Sequence, residues 1–195
     1  QVSLVMGERS GHYGLADRDT PVAGKRNLCL NVVRQTKMEA WQHAVVSNAP
    51  SPAVYVELKD GSNLFPLYLH TDETQGILLF DRDGGTIDQM IPTTDANTNS
   101  NDSRRPNLAP AFINDFSARL GMTFGPEDVF FYMYAIFHSP VYRERYSEFL
   151  KIDFPRLPLT GDADLFHTLF GFGEELTALH LLEKTPALTT AYPVA

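Results

Sequence analysis

The rhythm of apolar and polar positions changes once along this chain. Up to about residue 91 the apolar runs are short, and several alternate. Leu28 to Val33 is an apolar, β-branched run that predicts a strand. Ala44-Val-Val46 and Val54-Tyr-Val-Glu-Leu58 predict two more, the second by its alternation. The Asp60-Gly61 pair signals a turn into Leu64-Phe-Pro-Leu-Tyr-Leu69, where Pro66 predicts a strand edge or a strand start. Gly76 to Phe80 and Thr86 to Ile91 flank Asp81-Arg-Asp-Gly-Gly85, the pattern of a hairpin.

Residues 93–107 are polar and rich in Asn, Ser and Thr, as in a loop or linker. Beyond them the pattern is helical. Pro110 to Leu120 predicts a short helix closed by Gly121. Gly125-Pro-Glu-Asp128 opens a second, with proline at the first position and acids in the first turn, running to about Phe137. It is apolar nearly all round, so it should be buried. Ser139-Pro140 caps a third helix, which aligns Tyr142, Tyr146, Phe149 and Leu150. Pro155 and Pro158 force residues 152–159 to be extended. Asp162 starts a last helix to Glu183, with strain expected at Gly171 and Gly173. The fold class is therefore α+β: a β-rich part (1–92), a polar loop or linker (93–107) and a helical part (108–195).

With 195 residues, 43% hydrophobic and 21% charged, the chain suits one ordinary globular domain. No apolar run reaches the length of a membrane span. The Gln1 start lacks an initiating Met and a basic region, so it is no signal peptide and reads as a cut inside a longer protein. The lone Cys29 suits a reducing cytoplasm and a buried position. Net charge is −8, with 10 basic and 13 acidic side chains in residues 1–111 and 6 and 11 in 112–195. Neither half is basic, so any nucleic-acid contact must come from local clusters.

Several chemistries lack their motifs. There is no Asn-Pro-Pro-Tyr or Asp-Pro-Pro-Tyr loop for adenine methylation, no Walker A sequence and no nucleophile elbow. The Asp81-x-Asp-Gly start of a calcium loop lacks its later carboxylates. The six histidines show no zinc spacing, and His138 and His180, inside apolar helices, read as hydrogen-bonded core residues. Glu57-x-Lys59 on a strand resembles the carboxylate and lysine of a Mg²⁺-dependent nuclease, though no strand-borne aspartate precedes it. Arg34-Gln35-Thr36-Lys37, directly after the central apolar strand, suits a major groove, since Arg reads guanine and Gln reads adenine. Lys25-Arg26 and Arg104-Arg105 are further candidate DNA contacts. Arg143, Arg145, Lys151 and Arg156 surround the aromatic helix, where Glu144 and Glu148 favour salt bridges to Arg143 and Arg145.

Segments from about residue 25 to 185 together resemble the C-terminal specificity region of type ISP restriction–modification enzymes and their N6-adenine DNA methylase relatives. They are Asn27-Leu-Cys-Leu-Asn-Val-Val-Arg-Gln35, Asn63-Leu-Phe-Pro-Leu-Tyr-Leu69, Arg104-Arg-Pro-Asn-Leu108, and Leu179-His-Leu-Leu-Glu183. The strongest are Ala135 to Tyr146 (Ala-Ile-Phe-His-Ser-Pro-Val-Tyr-Arg-Glu-Arg-Tyr) and Phe149-Leu-Lys-Ile-Asp-Phe-Pro-Arg156. The resemblance implies a target-recognition module that binds double-stranded DNA and positions a flipped adenine for a methylase domain elsewhere in the polypeptide. It assigns S-adenosylmethionine to that absent domain, with Mg²⁺ and ATP for translocase and nuclease domains, and no catalytic residue, metal or cofactor to this segment. The family's chain normally continues past Tyr192-Pro193, so the helical part is truncated relative to it. A protein-interaction scaffold and a nuclease using Glu57 and Lys59 stand as alternatives.

Overall fold

The computed structural model describes residues 27–48, 56, 61–70 and 104–185. Two antiparallel sheets lead into a set of helices, the α+β arrangement that the change in periodicity predicts. Strand β1 (Cys29–Val32) lies between β2 (Ala44–Ser47) and β3 (Asn63–Pro66). Leu30 pairs with Val46 on one side and with Phe65 on the other. All of β1 is buried, including Cys29, because both faces of the central strand are covered. Pro66, which has no amide proton to give, closes the edge strand β3 opposite Cys29.

A second ribbon pairs β4 (Tyr68–His70) with β5 (Arg104–Pro106). Buried asparagines stitch it to the first. Asn27 donates to the Tyr68 carbonyl at 2.7 Å and accepts from the Tyr68 amide at 3.1 Å, copying a strand's exchange with a side chain. Asn107 donates to the Pro66 carbonyl at 2.9 Å. The pairing of Arg104–Pro106 corrects the expectation of loop up to residue 107. Polar composition hides an edge strand whose order comes from its partner.

Helix α1 (Pro110–Leu120) ends at Gly121, whose φ of 66° is the left-handed C-cap that glycine tolerates. In α2 (Pro126–His138) the Asp128 carboxylate accepts from the Gly125 amide at 2.9 Å. Seven of its residues are buried, so its nearly uniform apolarity is matched by its placement. Ser139 caps α3 (Pro140–Arg145) by accepting from the Tyr142 amide, and α4 (Ser147–Leu150) follows as one short turn. Helix α5 (Ala163–His180) starts on Asp162, whose carboxylate accepts from the Leu165 amide at 3.0 Å. It ends before Glu183 because the chain turns left-handed at Leu182, with φ of 59°.

One core joins sheet and helices: Leu30, Val46 and Phe65 pack with Val129, Phe130, Met133 and Tyr134 of α2. A second cluster centres on Phe116, whose ring lies 5.3–5.7 Å from Phe112, Phe124, Tyr132 and Phe166. Where α5 crosses α2, Gly173 lies directly on the backbone of Phe131, and a Cβ there would overlap the carbonyl. The strain expected at Gly171 and Gly173 is not observed. The helix runs through both, and Gly173 serves close approach instead.

Candidate nucleic-acid interface

Beyond Val32 the chain leaves the sheet through Val33 and turns at residues 34–37. Thr36 is buried and fixes the turn: its amide donates to the Lys151 carbonyl at 3.0 Å, and its hydroxyl accepts from the Met38 amide at 3.1 Å. The side chains around this anchor, Arg34, Gln35 and Lys37, are all exposed. A turn held by its backbone has little backbone entropy left to lose on binding.

The segment that receives this turn runs from Lys151 to Arg156. Arg34 Nε lies 3.6 Å from Asp153 Oδ1, joining residues 119 positions apart; the guanidinium side is 69% exposed and the carboxylate 27%. Arg156 stacks its guanidinium 4.2 Å from the Phe149 ring centroid, while Tyr142 donates its hydroxyl to the Arg156 carbonyl at 2.7 Å. Lys151 pairs with Glu148 at 2.9 Å. The fold thus gathers two basic segments that the sequence keeps apart.

The other candidates fall elsewhere. Arg105 sits on β5 opposite Leu69, exposed and engaged with neighbours, and Arg104 pairs its backbone with His70. Lys25, Arg26, Glu57, Lys59 and the 76–91 hairpin lie outside the described residues. Among the described residues Arg143 and Arg145 form no ion pair with Glu144 or Glu148, which corrects the helical-spacing expectation. Arg143 turns inward, donates from Nε to the Phe137 carbonyl at 2.6 Å and lies 5.7 Å from the Trp41 ring centroid. A carbonyl left open at the end of α2 outcompetes an exposed carboxylate.

The histidines serve packing and are only partly core. The Tyr134 hydroxyl accepts from the Val46 amide at 3.3 Å and lies 2.6 Å from His180 Nδ1. His138 Nδ1 lies 2.9 Å from the Tyr134 carbonyl. Burial pushes the His138 imidazole down to about 4, against that carbonyl and aided by Arg143 and His180. It is therefore neutral at pH 7. His180 is exposed. Among the described residues no three His, Cys, Asp or Glu side chains converge as metal ligands, and no helix is long and apolar enough to cross a membrane.

The described residues form a small α+β module with an Arg-Gln-Thr-Lys turn, exposed but for Thr36, at the end of its central strand. Residues 15–194 match the type ISP C-terminal specificity domain, and the chain belongs to that family. Two solved structures share the fold. A DrdV–DNA complex matches with 22% identity and a TM-score of 0.58 over 83% of this chain. The ATP-dependent type ISP restriction–modification enzyme LlaBIII bound to DNA matches with 20% identity and a TM-score of 0.58 over 87%. The chain spans 13% and 9% of those proteins, respectively. A search of curated proteins returned no match.

Proposed function

We propose that this chain is the DNA target-recognition segment of a larger restriction–modification enzyme. The observation that carries the reading is the turn at 34–37, which offers Arg34, Gln35 and Lys37 around a buried Thr36. Arg and Gln present the bidentate donors and acceptors that distinguish guanine and adenine in the major groove, and Lys37 supplies a phosphate contact. Arg156, stacked on the Phe149 ring, adds a further cation from the segment that carries Asp153. Membership of a specificity-domain family supports the same assignment. Catalysis then belongs to other domains of the polypeptide: adenine-N6 methylation with S-adenosylmethionine, and ATP- and Mg²⁺-dependent steps where those domains are present.

The helical part plays a different role in this reading. Its residues 112–195 carry 6 basic and 11 acidic side chains, a poor match for phosphate. Between α2 and α5 runs a largely apolar groove of about 460 Å³, lined mainly by Ala135, Leu169, Phe172, Leu176 and Leu179, with His138, Ser139 and Glu175 also on its wall. Such a face suits docking against the enzyme's own domains, with the 34–37 turn left for DNA.

The test is a fluorescence-anisotropy titration of the intact enzyme on duplexes bearing its selected site, across a salt series. Lys37→Ala should weaken binding on every sequence and flatten the log–log salt slope by about 0.9, one phosphate contact. Arg34→Ala should relax preference within the site. Unchanged preference and unchanged slope in both variants would overturn the assignment.

A further inference from the structure

We infer that Arg34 reads the edge of a guanine and that Asp153 is the residue that positions it to do so. This rests on the DNA-recognition reading above and goes beyond it by giving one base contact a residue, a partner and a chemistry. Asp153 approaches the guanidinium from its Nε edge, at 3.6 Å, and this is the closest contact between the two groups. Among the described residues Arg34 makes no other ion pair or hydrogen bond, so its two terminal Nη groups are unengaged. Those two nitrogens carry the parallel N–H bonds that match O6 and N7 of guanine.

A carboxylate at this place argues against the simpler role of gripping phosphate. A phosphate contact gains from uncompensated positive charge, and Asp153 offsets part of that charge. A guanine edge is neutral and offers two acceptors, so it needs orientation more than charge. A carboxylate beside Nε favours guanidinium orientations that leave both Nη groups outward, and its approach within hydrogen-bond distance on DNA binding would set their plane. As an exposed pair it adds little to stability.

The positions of both partners are set independently of each other's side chains. Arg34 leaves β1 two residues before Thr36, whose amide is tied to the Lys151 carbonyl. Asp153 follows two residues after Lys151, and its own amide donates to the Phe149 carbonyl at 3.2 Å. One backbone hydrogen bond therefore holds both segments in register. Phe154 and Pro155, buried next to Asp153, leave the segment little freedom to move.

The experiment uses the intact enzyme. A duplex library with a randomised centre first yields the selected site. Each guanine of that site is then replaced in turn by 7-deazaguanine, which removes the N7 acceptor and little else. Wild type should lose affinity roughly 5- to 150-fold at one guanine when that bidentate contact is broken. Arg34→Ala should abolish the loss at that guanine alone. Asp153→Asn should cut it to below about a third, with the salt slope unchanged, and Asp153→Glu should restore most of it. Affinities are normalised to the folded fraction from thermal unfolding, and the Asp153→Glu enzyme supplies the readout if Asp153→Asn folds poorly. A full loss retained in Asp153→Asn but absent in Arg34→Ala would overturn the positioning role and leave DNA reading intact. No guanine sensitive to Arg34→Ala would overturn the guanine contact. A wild-type enzyme that selects no site would overturn the DNA-recognition reading itself.

Discussion

Two glycines two residues apart on α5 should respond to alanine in opposite directions. Gly171 has no heavy atom within 4 Å of where a Cβ would stand, and it lies in a regular helical turn. Alanine there gains helix propensity, about 0.8–1 kcal/mol. Gly173 meets the carbonyl oxygen, the carbonyl carbon and the Cα of Phe131, all backbone atoms of α2 that cannot rotate aside. Alanine gains the same propensity but must push the two helices apart. Phe130, Tyr132 and Tyr134, all buried on α2, would shift with it. Overpacking of this kind costs about 1–3 kcal/mol and occasionally more. Contact with unyielding backbone places Gly173→Ala at the upper end, a net loss of about 2 kcal/mol. For a chain of this size, 1 kcal/mol moves Tm by roughly 2–4 °C. Gly171→Ala should therefore melt a few degrees higher than wild type and Gly173→Ala about 4–8 °C lower, followed by circular dichroism of the full chain. Equal or higher stability of Gly173→Ala would refute the packing of α5 on α2 described above.

Two further outcomes follow from local chemistry. Asp162→Ala removes the carboxylate that accepts from the Leu165 amide at the start of α5 and should cost about 1 kcal/mol, read by urea unfolding. His138, held down to about 4 against 6.5 in the unfolded chain, binds its proton more readily once unfolded. Its contribution is thus whole above pH 6.5, is lost as pH falls through that window, and levels off below about 4; His138→Gln should remove this part of the stability–pH profile in parallel unfolding curves.

The helices were legible because their punctuation is local. Pro110, Pro126, Ser139-Pro140 and Asp162 each stand at or beside a helix start, and Gly121 closes α1. Strands β1 and β2 were legible from short apolar runs bounded by polar residues. The partnership of β4 with β5 was not, because the pairing spans a long separation and Arg104–Pro106 has no strand pattern of its own. The role of Gly173 was hidden for a related reason: a glycine that relieves strain and one that admits a neighbouring backbone look alike in sequence. At the candidate site, Arg34, Gln35 and Lys37 could be chosen because strand ends project polar loops. Asp153 could not, since its meeting with Arg34 depends on the hydrogen bond between Thr36 and Lys151. Arg143 shows the reverse error, where helical spacing suggested an ion pair and an open carbonyl took the side chain instead.

The central claim is that the exposed turn after β1, and not the helical face, meets DNA. Site-specific photocrosslinking in the intact enzyme tests it directly, with a benzophenone side chain placed at Gln35 in one variant and at Phe172, 57% exposed on α5, in the other. The Gln35 probe should crosslink to bases within the selected site, and the Phe172 probe should crosslink only to protein. DNA captured from Phe172 with none from Gln35 would contradict the account.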